Sequence, residues 1–247
     1  MQTADLTLWQ ALVAWLHGLG IHLGTGVANE VGAQMGAGVS QAANQLDMPS
    51  LLALAAALGW ASGFRLYAVV FLVGVSGALD WIALPPGLQV LQNPALLMAS
   101  GFMLFMEFFA DKIPGIDLLW DVLNSVIRIP AGAALAAGAL GADGATMALV
   151  GALLGGGLAA TSQAAKTTTR AAINTSPEPF SNLGMSLVED GLVVGAVWLA
   201  TQHPLVFGVL LVIVVILMWI VTWMLFKFLR AVIRRMSAFL SAAPKEV

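Results

Sequence analysis

Cysteine is absent from the 247 residues. That excludes disulfide frameworks, zinc–thiolate sites and thiol nucleophiles. Charge is nearly as scarce: Asp, Glu, Lys and Arg make up 9% of the chain, where a soluble domain carries about 25%. A soluble chain of this length would have too little polar surface to stay dispersed. No lysine or arginine occurs before Arg65, so the opening MQTADLT lacks the basic region of a secretory signal. There is no basic stripe of the kind that tracks nucleic acid. The histidines, His17, His22 and His203, show no metal-ligand spacing, and no metal or cofactor is expected. HExxH, GxSxG and a nucleophile beside a base are all missing, so an enzyme is not expected.

What is abundant is apolar: 60% of the residues. Leu205 to Phe226 (LVFGVLLVIVVILMWIVTWMLF) carries no charge and matches the roughly 20 residues that cross a bilayer core. The fold expected is an all-α, polytopic transmembrane bundle with about six spanning helices. Their approximate ranges are 51–79, 94–109, 116–140, 145–172, 182–201 and 205–235. Turn chemistry separates them: LPPG at Leu84, KIPG at Lys112, GADG at Gly141, SPEP at Ser176 and the His203–Pro204 pair. The KIPG and SPEP turns define two proline-broken helical hairpins, because proline has no amide to continue a helix. Glycine and alanine crowd the third and fourth helices (AGAALAAGALG, GALLGGGLAA), so those two should pack closely. Residues 1–50 form an N-terminal extension in which Leu6–Val27 either spans or lies on the membrane. Residues 51–236 form the membrane domain and 237–247 a tail.

Alternate threading of six helices collects Lys112, Lys166, Arg170, Lys227, Arg230, Arg234 and Arg235 on one face. The loops at Asp80, Asp143 and His203 fall on the other, without lysine or arginine. Positive residues mark the cytoplasmic side. The expectation is therefore a multi-pass protein of the inner membrane with its C-terminus in the cytoplasm.

The same threading gathers the remaining charge. Glu107 and Asp111, Asp117 and Asp121, and Lys166 and Arg170 are pairs at i, i+4 spacing, which share a helix face. Interfacial anchoring accounts for Lys112, Asp117, Arg170 and Glu178 more readily than function does. Arg65, Arg128, Glu189 and Asp190 lie deeper, where a charge costs about 2.5–3.5 kcal/mol on insertion scales and normally faces the bundle interior. The candidate cavity set is Arg65, Glu107, Asp111, Asp121, Arg128, Lys166, Arg170, Glu189 and Asp190. Adjacent Glu189 and Asp190 point about 100° apart, so one should meet the Lys166–Arg170 pair while the other faces elsewhere.

The strings EFFADKIPGID from Glu107, KTTTRAAINTSPEPFSN from Lys166 and SLVED from Ser186 resemble a bacterial membrane family labelled domain of unknown function 4126. The likeness covers about residues 51–236. It implies a multi-pass membrane protein and no established activity. Two functions follow as expectations: a small transporter or channel acting on an unidentified solute or ion, or a membrane scaffold whose buried charges are structural. The partner implied in either case is the lipid bilayer, and self-association is left open. With no native cysteine, single introduced thiols report topology directly. Glu178→Cys should be labelled only from the cytoplasmic side and Asp143→Cys only from outside; labelling of both from one side overturns the threading.

Overall fold

The computed structural model describes residues 47–113, 116–141, 144–175 and 179–241. Outside them lie residues 1–46 of the extension with His17 and His22, Asp143, Glu178 with most of the SPEP turn, and the last six residues of the tail. Every described segment is helical or a connection. The elements are α1 (Met48–Ala78), a 3-10 helix (Pro86–Gln92), α2 (Pro94–Ala110), α3 (Ile116–Leu140), α4 (Ala145–Ile173), α5 (Pro179–Gln202) and α6 (Pro204–Ser241). Five are long and apolar enough to cross a membrane, or six if the 3-10 helix and α2, bent by 71°, count as one span. The protein is a polytopic helical bundle.

The ends follow local chemistry. Asp47 caps α1 by accepting from the Ser50 amide at 3.3 Å, and Asn93 caps α2 by accepting from the Ala95 amide at 2.9 Å. α5 begins at Pro179, earlier than its apolar run suggests, because proline's fixed φ suits the first helical position. α6 runs on to Ser241, past its basic residues. α3 and α4 pack backbone to backbone. A methyl group on Gly155 would strike Ala136 and lie 2.5 Å from the Gly132 carbonyl oxygen, so only glycine allows this approach.

α1 occupies the centre: 72% of its most apolar stretch is buried, against 11% for α6. Its path differs from the single crossing that its length suggests. Arg65 has φ −146° and ψ 84°, outside the helical region, and the helix doubles back there. The first arm, residues 48–64, descends beside α4: Gly59 abuts Gly155 and Gly63 abuts Ala159 and Ser162. The second arm, residues 66–78, climbs back beside α3. Tyr67 donates to Asn124 at 2.8 Å, Val70 shares a cavity wall with Ala131 and Leu135, and Gly74 abuts Leu91. The two ends meet again at the starting face, where Ser50 and Leu54 line one cavity of 190 Å3 with Trp81, Ile82, Ala83 and Thr201. A straight helix of 31 residues would hold its ends about 46 Å apart. α1 is thus a wedge that enters and leaves by the face carrying Trp81, Gly144 and His203, and α2 to α6 surround it.

A cysteine pair at Ser50 and Ala83 tests this path. We expect efficient cross-linking by a short bifunctional reagent in membranes, with Ser50–Lys112 as a negative control. Failure of the first pair with intact protein would restore a straight α1.

Candidate functional site

The wedge carries Arg65 about 25 Å below its entry face, from the rise of the first arm. A break in a helix frees backbone carbonyls, and in lipid each must find another donor. Lys166 of α4 supplies one, its Nζ donating to the Phe64 carbonyl oxygen at 2.9 Å. The Arg65 guanidinium then meets the end of α2 and the inner face of α5. Nη2 lies 2.6 Å from Asp111 Oδ2 beyond α2, and donates to Ser186 Oγ on α5 at 2.5 Å. Nε lies 2.9 Å from Asp190 Oδ1 and 3.7 Å from Glu189 Oε2.

Around this tip the other charges interlock. Arg128 Nη2 donates to Glu107 Oε1 in a short contact, and Nη1 donates to Asp121 Oδ1 at 2.8 Å and to Gln163 Oε1 at 3.0 Å. Lys166 Nζ lies 3.0 Å from Asp121, 3.1 Å from Glu189 and 3.8 Å from Glu107. Arg170 grips Glu189 with Nε at 3.2 Å and Nη2 at 3.0 Å, and its Nη1 donates to the Asp111 carbonyl oxygen at 3.2 Å. It also reaches Asp111 Oδ2 at 3.4 Å and Asp117 Oδ2 at 3.7 Å. Asn174 Nδ2 donates to both Asp117 oxygens at 3.1 Å, and Asn182 Nδ2 donates to Asn174 Oδ1 at 3.0 Å.

All nine candidate residues therefore join one network, together with Asp117. Glu189 meets Lys166 and Arg170, while its neighbour Asp190 turns to Arg65. Lys112 stays outside, its ammonium 2.9 Å from the centre of the Phe108 ring. Sequence reasoning missed Gln163, Ser186 and Asn174 as network members. The spacing was available: Gln163 precedes Lys166 by three positions and Ser186 precedes Glu189 by three, each on the shared face. For the Phe64 carbonyl the signal was slight: no proline precedes the break at Arg65, only the Ser62–Gly63 pair.

The side chains of Arg65, Glu107, Asp111, Asp117, Asp121, Arg128, Lys166, Arg170 and Glu189 have no accessible surface, whereas that of Asp190 is 36% exposed. Glu107 Oε2, Asp111 Oδ1 and Asp121 Oδ2 are buried without a hydrogen-bond partner. Chemically the site holds acidic and basic groups in alternation, with carboxylate oxygens to spare and no exposed nucleophile.

The protein is thus a membrane bundle built round a doubled-back helix and a buried charge network. The sequence pattern of the family described as "Domain of unknown function (DUF4126)" matches residues 52–224, and the chain belongs to that family. No curated protein and no solved structure matches the chain.

Removing one member of a buried ion pair leaves the other charge uncompensated, at a cost of about 3–5 kcal/mol. Arg65→Ala should therefore lose most of its folded protein in detergent. Adding Asp111→Asn, which neutralises the closest carboxylate, should restore part of the loss in thermal melting. A single variant that melts like the wild type would show that Arg65 is not paired in the folded protein.

Proposed function

We propose that the protein is a small transporter or channel of the inner membrane, with its basic face and C-terminus in the cytoplasm. The network around Arg65 forms its closed gate. The observation that carries this reading is the helix break at membrane depth. Irregular backbone inside a bilayer is tolerated where protein buries it or where it lines a water-filled path, and broken helices meeting charged groups inside the membrane are a mark of solute sites. Here the broken element enters and leaves by one face, so it can shift without unthreading the bundle. Its tip is held by ion pairs, which can exchange partners, rather than by apolar packing alone. The mixed charge suits a solute that presents both polarities, or an ion accompanied by a counter-charge. The cytoplasmic assignment rests on the one-sided distribution of lysine and arginine. No catalytic role is proposed.

The scaffold reading draws support from a different observation: nine of the network's side chains are sealed from solvent. Reconstituted vesicles separate the two. The wild type should carry at least one member of a panel of ions and small organic anions. Glu189→Gln, which keeps the side-chain shape, should keep the fold and slow that flux by about tenfold or more, equivalent to about 1.4 kcal/mol in the barrier. If the wild type moves nothing and Glu189→Gln merely melts at lower temperature, the network is structural.

A further inference from the structure

Charge counting divides the network unequally. On one side Glu107 and Asp121 face Arg128 and Lys166, two anions with two cations. On the other, Arg65 and Arg170 are shared among Asp111, Glu189 and Asp190. Asp117 also approaches Arg170, but it sits in the first turn of α3 and receives the Asn174 amide on both oxygens. The helix dipole and those bonds stabilise its charge locally. That leaves three carboxylates around two guanidinium groups in a region where an uncompensated charge is costly.

The three are not held alike. Glu189 is gripped by two nitrogens of Arg170 and contacted by Lys166. Asp111 is sealed between Arg65 and Arg170. Asp190 touches one cationic nitrogen, Arg65 Nε at 2.9 Å, and that nitrogen makes no directed hydrogen bond. It is also the charged network member with accessible surface, near the midpoint of α5 and one turn from the exposed Leu187 and Val194. The charged groups that act on it come from every neighbouring element: Arg65 at the wedge tip, Asp111 beyond α2, Lys166 on α4 and Glu189 beside it on α5.

We propose that Asp190 is a proton-binding site, carrying the proton that balances the surplus carboxylate when the network is closed. The inference deepens the transport reading by naming the proton as the coupling ion. On release the proton leaves by the exposed side of Asp190 to a base reaching it from the membrane surface, and the carboxylate left behind takes a larger share of Arg65. Arg65 then loosens from Asp111, and the wedge tip loses one of its ties. A metal cation fits the place poorly, because each of the three carboxylates already has a guanidinium nitrogen against it and a cation would have to displace one.

Infrared difference spectra of the full chain in lipid, recorded between acid and alkaline pH, test the assignment without reading any flux. The wild type should show the carbonyl stretch of a protonated carboxyl group that vanishes at alkaline pH. Asp190→Asn should lack that band, and Asp190→Glu should keep it at a shifted frequency. If Asp190→Asn does not fold, the Glu variant decides, and a band at the wild-type position overturns the proposal. So would a wild type with no titrating band, a band that survives in Asp190→Asn, or one that is discharged by sodium at constant pH. A protein that transports nothing yet shows the Asp190 band refutes the transport reading and leaves the proton site standing; flux without the band does the reverse.

Discussion

A helix that stops inside a bilayer leaves carbonyl oxygens that lipid cannot satisfy, and here the ammonium of Lys166 supplies the donor for Phe64. The contact fixes how deep the wedge descends, since the tip can go no further than the level of α4 that carries Lys166. It also draws a positive charge to the protein centre, where acidic groups from three other helices must answer it. Asp121 from α3 and Glu189 from α5 do so directly, and Glu107 from α2 at longer range. Position and charge at the site thus follow from one unsatisfied backbone group.

Two packing regimes keep the wedge in register. Along its arms it is held by backbone approach: Gly59 and Gly63 leave no room for a methyl group against α4, and Gly74 none against Leu91. In lipid such close contact replaces the hydrophobic drive available in water. Toward its tip it is held by ion pairs. Pairs of this kind contribute little net stability once desolvation is counted, but they penalise every wrong arrangement. Glycine contact therefore sets how closely the helices lie, and the charges set which helices lie together.

Much of this was legible beforehand, for reasons that differ by element. α2 to α6 announced themselves through apolar runs ended by proline and glycine, Arg65, Arg128, Glu189 and Asp190 through charge at depths where charge is rarely tolerated, and Glu107 and Lys166 through their pairing at i, i+4 spacing. The doubling back of α1 was not legible. Its two arms are apolar without interruption by proline, and the residue at the break is an arginine flanked by Phe64 and Leu66. The charge asymmetry offered no help, because no lysine or arginine precedes Arg65, so both faces look alike until the wedge has been passed. The surplus carboxylate was also hidden, since it emerges only when each acid is assigned to the cation it touches.

The spacing of these contacts along the chain imposes an order of assembly. Lys166 lies 102 residues after Phe64, and Ser186 lies 121 after Arg65. While the ribosome is still producing α2 and α3, the wedge has its arginine but neither the donor for its broken backbone nor most of its counter-charges. An unpaired arginine at the middle of a helix is opposed by about 2.5–3.5 kcal/mol on insertion scales. α1, made before every other described helix, thus completes its contacts only once α4 and α5 have arrived.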